Sequence, residues 1–337
     1  MMVQTPGDVR PYGGEVGPAA MQIAVVVPTH NRPALLREAV ASLQAQTWGQ
    51  WSLVIVDDGS DPAVERQLDG TDRPVTWLRN VEAQGPSMSR NQGIQAAAGD
   101  VVTFLDDDDL LDPTALEAIA KHFANYPQTE CLFVNVGAFG PGSEGLLRNQ
   151  QHAMATVLSR LHIPALPQGS LLLGQGLFEA LLGGVPLAFQ RVAVRREVLE
   201  RVGPQLLGPF GDLEWGLRFA LRCRCALLTA PLYRVRCEGQ SLFSRGDAHL
   251  RLASALVRIN GVLADLPEVQ GDPARRARVR RELAKSRFDR AYLTYMSGQA
   301  FPWADYLRSA AGHFGWRHLS LLARVLGWRR NSSRARS

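Results

Sequence analysis

The sequence predicts an α/β fold with a mostly parallel central sheet flanked by helices and a helical appendage at its C-terminal end. Three observations predict it. Short, continuous, β-branched runs alternate with amphipathic stretches of helical period. Polar clusters fall directly after the apolar runs. Beyond about residue 245 the alternation stops and only helical periodicity remains. Strands that are apolar along their whole length are buried on both faces, as in parallel sheets covered by helices.

The elements follow in order. Residues 1–20 are rich in Gly and Pro and lack periodicity, so a disordered lead-in is expected. Ile23 to Val27 reads as the first strand. Pro33 to Gln46 reads as a helix, with Leu35, Leu36, Ala39, Val40 and Leu43 on one face. Leu53 to Val56 and Val75 to Leu78 are the next strands. Pro86 to Ala98 is a helix with Pro in its first turn. Val101 to Leu105 is a strand, Pro113 to Phe123 a helix, and Cys131 to Val136 another strand. Segments 247–265, 273–297, 302–312 and 316–328 read as helices. The resulting division is an α/β domain over 21–245, a helical region over 246–330 and a basic tail over 331–337.

Composition narrows the classes. With 337 residues, 46% hydrophobic and 20% charged, the chain can bury a large core. The net charge of +5 gathers toward the end, where no acid follows Asp305. Within 1–245 basic residues are interleaved with acids and form no stripe, which argues against nucleic-acid binding. Four cysteines without a C-x-x-C spacing read as reduced thiols in a cytoplasmic protein, and a zinc site built from three of them lacks a standard ligand spacing. The N-terminus has no charged segment followed by an apolar one, so no secretory leader is expected. Ile163 to Phe189 is nearly uncharged and long enough to span a bilayer, but Pro164, Pro167 and Pro186 favour a cleft wall or buried helix. The seven histidines form no metal spacing.

The four consecutive carboxylates Asp106 to Asp109 end an apolar strand. Such close like charges repel unless a cation or proton offsets them, and hard divalent cations take oxygen ligands of this kind. Alternate residues of an extended segment share a face, which selects Asp106 and Asp108. Asp109 and Asp112 read as an acidic turn and a helix cap before Pro113. Asp57-Asp58-Gly59-Ser60 alone reads as a strand-to-helix turn.

The ordered set of motifs is more specific. Val26-Val27-Pro28-Thr29-His30-Asn31-Arg32, Val54 to Ser60, Gly85 through Ile94, and Thr103 to Asp109 together resemble the family-2 glycosyltransferases, which have the GT-A (Rossmann-like) fold, over about residues 21–245. The resemblance implies an inverting, metal-dependent transfer of a sugar from a nucleotide-sugar donor to a hydroxyl acceptor on a surface polysaccharide, glycolipid or glycoprotein. It implies that Pro28, Thr29, Asn31, Arg32 and Asp57 hold the base and ribose, and that Arg90 and Asn91 belong to the family's Arg-Asn pair. Asp106, Asp107 and Asp108 fall on its D-x-D. Asp106 would touch ribose or metal, and Asp108 would ligate Mn²⁺ or Mg²⁺ bridging the diphosphate. A UDP-sugar is the favoured donor, although the sequence does not fix the base.

Gly211-Asp212-Leu213-Glu214 resembles the family's Glu-Asp-x-Asp, which makes Asp212 the general base and Glu214 the fallback. Asp212 would also suit the N-cap of a helix over Leu213 to Cys223. Gly211 stands where the family has Glu. Leu232 to Ser241 resembles the family's Tyr-Arg-x-Arg-x-His segment, with Glu238 in the His position as a candidate metal ligand. Arg234 and Arg236 would neutralise phosphate or form structural ion pairs. The helix around His313 to Arg330, mixing Phe314, Trp316, Leu319, Leu322 and Leu326 with arginines, suits either an anionic membrane surface or docking on the protein. The first option fits a lipid-linked acceptor and a place on the inner face of the cytoplasmic membrane. The competing reading is a non-catalytic nucleotide-sugar-binding or scaffold protein on the same fold.

Overall fold

The computed structural model describes residues 9–10, 21–64, 75–237 and 247–326. The chain divides after residue 239 into two compact units.

In the first unit, β1 (Val9–Arg10) lies within the segment expected as a lead-in and pairs with a later strand; the rest of 1–20 lies outside the described residues. β2 (Ile23–Thr29) is buried at every residue. α1 (Pro33–Gln44) starts on Pro33 and buries Leu36, Ala39, Val40 and Leu43, the i, i+3, i+4, i+7 stripe read from the sequence. β3 (Trp51–Asp58), β4 (Val75–Asn80), α2 (Pro86–Ala96) and β5 (Val101–Phe104) complete the first repeat of the alternation. Next come β6 (Leu110–Leu111), α3 (Ala115–Asn125), β7 (Cys131–Phe139) and α4 (Ser143–Arg160). β8 (Ser170–Leu173), the short α5 (Leu177–Leu181) and a 3-10 turn, Leu187–Gln190, follow. The unit closes with β9 (Val192–Arg195), α6 (Leu199–Val202), α7 (Gly211–Arg222) and β10 (Cys225–Arg236).

The sheet order is β1-β8-β10-β7-β9-β5-β2-β3-β4, with β6 on β10. β2, β3, β4 and β5 are mutually parallel, as are β7 and β10. β9 runs antiparallel between β5 and β7, so both flanking strands point the same way. The sheet is therefore mostly parallel in direction, with β6, β8 and β9 reversed. The core joins β2, β3, α1 and α3 through Val25, Val27, Leu36, Leu43, Ile55, Leu116 and Phe123.

The uncharged stretch 163–189 forms β8, α5 and the 3-10 turn instead of one helix. α5 buries Leu177, Phe178, Ala180 and Leu181. Among the described residues no helix is long and apolar enough to cross a membrane.

β10 pairs with β7 in two stretches, with an irregularity between Leu228 and Tyr233. Pro231 lies in that interval and has no N–H to donate to a ladder. Beyond it, Tyr233 and Arg234 pair with Leu111 and Leu110 of β6. The far end of β10 is thereby laid against the segment that follows β5, where the acidic residues are.

The second unit is helical: α8 (Ala248–Asp265), α9 (Pro267–Gln270), α10 (Pro273–Met296), α11 (Trp303–Gly312) and α12 (Trp316–Val325). Asp272 caps α10 by accepting from Ala274 N–H at 2.9 Å and Arg275 N–H at 3.0 Å. Phe288, Ala291, Tyr306 and Leu321 form its core, and Arg290 grips Asp305 through bonds of 2.7 and 2.6 Å.

Candidate active site

The chain leaves β5 through buried Leu105 and turns, with Asp109 N–H donating to Asp106 C=O at 3.1 Å. This turn splits the four carboxylates. Asp106, Asp108 and Asp109 present oxygens that all lie within 4.8 Å of one another. Asp107 points toward β2, accepting from Thr29 Oγ1 at 2.7 Å and Arg32 Nη1 at 3.2 Å. The expectation for Asp109 needs correction. A strand's alternation would separate it from Asp108, but the turn folds the fourth residue back into the group. Asp112 is local, as expected, accepting from Thr114 N–H at 3.1 Å. However, α3 begins at Ala115, so Asp112 closes a turn and does not cap the helix.

Arginines meet these carboxylates. Arg32 reaches Asp108 at 2.8 Å, Arg90 binds Asp106, and Arg191 lies 3.3 Å from Asp106 and 3.7 Å from Asp109. Burial pushes the Asp106 carboxyl up, but Arg90 and Arg191 outweigh it and hold the group below its ordinary value. Burial lifts Asp107 to about 6. Asp109 rises to about 7 through burial, with the Asp106 and Asp108 charges adding to the effect against Arg191. Asp108 is raised by burial and by Asp106. One turn thus holds an ionised Asp106 beside Asp107 and Asp109, which burial pushes up to about 6 and about 7, and beside Asp108, also raised; oxygen donors gathered this way suit a divalent ion.

The loops after β2 and β3 are stitched together. Asn31, with φ of 55°, donates its N–H to Ser60 Oγ at 2.8 Å, and its Oδ1 accepts from Asp61 N–H at 2.9 Å. Asp57 is buried and accepts from Ser60 N–H at 2.9 Å and Val64 N–H at 3.2 Å. These contacts are those of the turn-former reading. Asp58 accepts from Gln84 N–H at 2.9 Å and Gly85 N–H at 2.7 Å. Despite burial, these bonds and that from Asn80 keep its carboxyl below the ordinary value. Pro28 is buried in β2, in register with Val56. Asn91 clasps the backbone of Gln205, donating to its C=O at 3.0 Å and accepting from its N–H at 2.8 Å. The helix that carries Arg90 is therefore tied to the segment leading into α7.

α7 starts at Gly211, so Asp212 sits in the first turn and is not its N-cap. Its Oδ2 lies 3.4 Å from Arg191 Nη1. Gly211 has no space for a side chain: a Cβ there would meet Leu206 O at 2.3 Å and Ser87 Oγ at 2.6 Å. Glu214, the fallback base, is fully buried with both oxygens held by Arg218, at 2.5 and 2.8 Å. Arg90, Asp106, Arg191, Gln205, Asp212, Trp215 and Tyr233 line one cleft. Tyr233 Oη accepts from Asp106 N–H at 3.0 Å.

Arg191 and Tyr233 escaped the sequence reading as site residues. Tyr233 stood inside a quoted motif; the only signal for Arg191 is that it is the first charged residue after Glu179. Arg236 lies 2.5 Å from Glu38 and donates Nε to Asp108 C=O at 2.8 Å, while its N–H meets Asp109 Oδ1 at 2.8 Å. These contacts fit the structural ion pair and anchor the acidic turn. Arg234 is exposed and lies over the Phe139 ring at 5.2 Å. Glu238 lies outside the described residues.

Comparison with known proteins is consistent with this geometry. Residues 24–181 match the family model described as glycosyl transferase family 2; the Asp212 and Tyr233 segments lie beyond the matched span. A GalNAc(5)-diNAcBac-PP-undecaprenol beta-1,3-glucosyltransferase of Campylobacter jejuni is 36% identical over 104 residues, covering 30% of this chain and 34% of that protein. The chain spans less than half the length of the curated relatives it matches. S. aureus TarS 1–349, solved in complex with UDP-GlcNAc, superposes with a TM-score of 0.58 at 15% identity, covering 91% of this chain and 92% of TarS 1–349. The mannosyltransferase PcManGT from Pyrobaculum calidifontis, solved with GDP-Man and Mn²⁺, gives a TM-score of 0.52 at 17% identity, covering 96% of this chain and 84% of its own. The two structures share the GT-A fold of this chain, and residues 24–181 are similar to the glycosyl transferase family 2 model.

Proposed function

We propose that the protein is an inverting glycosyltransferase that moves a sugar from a nucleotide-sugar donor, a UDP-sugar by preference, to a hydroxyl of a glycan or lipid-linked acceptor. One observation carries this reading. The acidic turn and Asp212 come from elements more than 100 residues apart in sequence, yet both contact the guanidinium of Arg191, at 3.3 Å to Asp106 and 3.4 Å to Asp212. That arrangement sets a carboxylate able to accept a proton beside a carboxylate group suited to a cation.

Asp106, Asp108 and Asp109 fit a divalent ion, Mn²⁺ or Mg²⁺, by oxygen chemistry and by the mutual closeness of their oxygens. When bound, such an ion neutralises the charge that develops on the departing diphosphate. Arg32 and Arg90 supply fixed positive charge for the phosphates. Thr29, Asn31 and Asp107 shape the loop that meets the base and ribose. Asp212 takes the proton from the acceptor hydroxyl as its oxygen attacks the anomeric carbon from the side opposite the leaving nucleotide, which inverts the configuration. The Trp215 and Tyr233 side chains wall the cleft and limit water.

A lipid-linked acceptor suits peripheral contact with the inner face of the cytoplasmic membrane. In the second unit Phe314, Trp316, Leu319 and Leu326 are exposed beside Arg317 and Arg324, an apolar and basic composition suited to an anionic headgroup layer.

The test is a thermal-shift panel of UDP, GDP, dTDP and CMP with and without Mn²⁺, alongside Asp108→Ala. A ligand at a hundred times its Kd stabilises by about 2.7 kcal/mol, worth several degrees in a unit of this size. Stabilisation by one nucleotide only with metal, lost in Asp108→Ala, is the expected result. A melt unmoved by every combination sinks the transferase reading and leaves the scaffold alternative.

A further inference from the structure

Arg191 is the point at which the acidic turn and Asp212 meet. Its guanidinium lies 3.3 Å from Asp106, 3.7 Å from Asp109 and 3.4 Å from Asp212. It lies over the Tyr233 ring at 4.8 Å, and its Nε is buried with no partner among the described residues. The backbone fixes the position. Arg191 links the 3-10 turn to the reversed strand β9, its C=O accepting from Val134 N–H at 2.9 Å and its N–H donating to Ala188 C=O at 3.3 Å. Arg90 and Arg32 have narrower duties: Arg90 pairs with Asp106, and Arg32 with Asp107 and Asp108 at a more exposed position.

A divalent ion on Asp106, Asp108 and Asp109 draws on two of the carboxylates that Arg191 already engages. The cation and the guanidinium compete for the same lone pairs, and they repel across a short distance in a partly desolvated cleft. The same guanidinium ends on Asp212, so whatever settles it on one side orients the base on the other.

We propose that Arg191 is a built-in counter-ion and positioning residue: it occupies the metal face of the acidic turn, weakens divalent-cation binding in the donor-free protein, and fixes Asp212 for the acceptor. This rests on the transferase reading above. Loss of the Arg191 charge relieves the competition while releasing the base. Metal affinity and turnover are therefore expected to move in opposite directions, whereas a residue that merely supports the fold would lower both.

The experiment titrates the full chain with Mn²⁺ without nucleotide, following free ion by electron paramagnetic resonance, and measures kcat and KM with the donor identified by the nucleotide panel. Arg191→Met is expected to bind Mn²⁺ roughly tenfold or more tightly than the wild type, the sense set by removing a like charge at this range. Its kcat is expected to fall about a hundredfold or more with donor KM within about threefold, the pattern of a lost transition-state interaction. Arg191→Lys keeps the charge and is expected to retain the wild-type Mn²⁺ affinity, yet lose turnover, because one ammonium cannot bridge three carboxylates. If the Met variant fails to fold, Arg191→Gln is read the same way. Unchanged or weaker Mn²⁺ binding on loss of the charge overturns the proposal and leaves the transferase reading standing. Absence of Mn²⁺ binding in every variant, wild type with donor included, overturns the metal reading and the proposal together.

Discussion

Restoring the family's residue at position 211 is expected to damage this protein. The resemblance places a Glu before the general base, where this chain has Gly. A Cβ on Gly211 would sit 2.3 Å from the Leu206 carbonyl oxygen and 2.6 Å from Ser87 Oγ. Ordinary van der Waals contact begins near 3.4 Å, so the start of α7 must back away from a carbonyl belonging to the backbone, by about 1 Å. Overpacking of this kind costs roughly 1–3 kcal/mol, which is about 2–10 °C of melting temperature for a domain of this size. Gly211→Ala isolates the steric term, and Gly211→Glu adds a carboxylate beside Asp212. Both should melt lower than the wild type by calorimetry, the Glu variant more so. Both should also lose turnover, because the displaced first turn carries Asp212. An Ala variant that melts within about 1 °C of the wild type with unchanged kcat would refute the close approach. A Glu variant that turns over faster would refute the view that position 211 is shaped for glycine.

Asp212→Asn keeps the shape but removes the proton acceptor, so kcat should drop by roughly 10²–10⁴-fold while metal-dependent stabilisation by nucleotide persists; loss of nucleotide binding instead would assign Asp212 to the donor. Glu214→Ala leaves the buried Arg218 without its carboxylate and should destabilise by about 3–5 kcal/mol, read as an early unfolding transition in urea; near-wild-type stability with abolished turnover would return Glu214 to candidacy as the base. Asp109 titrates near 7, above the ordinary carboxylate value of 3.8, so the folded protein binds a proton the unfolded chain has lost, and the ionised group costs stability as pH rises through 4 to 7. Asp109→Asn should therefore match the wild type near pH 4 and gain an advantage that grows up to pH 8 in metal-free buffer; an advantage that shrinks with pH would reverse the assigned shift. Trp316→Ser should reduce co-sedimentation with anionic vesicles severalfold, and equal binding by both proteins would remove α12 from the membrane reading.

The sequence by itself determined the layered part of the fold. Continuous apolar runs such as Ile23 to Val27, and the stripe Leu36, Ala39, Val40, Leu43, are local patterns whose burial depends only on periodicity, so they survive without knowledge of partners. It also determined that acidic clusters gather at strand ends, because Asp57-Asp58 and Asp106 to Asp109 close or follow such runs directly. Tertiary structure decided the rest. β9 enters the sheet reversed between β5 and β7, which no local pattern marks, and this brings Arg191 into the cleft. The turn at Asp106 to Asp109 returns Asp109 to the group that strand alternation had denied it. Glu214 stood as the fallback to Asp212 in the same segment, and only the fold shows that Arg218, one helical turn on, holds both its oxygens. Side-chain roles depend on which charges meet across the fold, and those meetings join residues as distant as Arg32 and Asp108, or Arg191 and Asp106. Periodicity carries no information about such pairs, since Coulomb and hydrogen-bond terms act over a few ångströms in space regardless of separation along the chain.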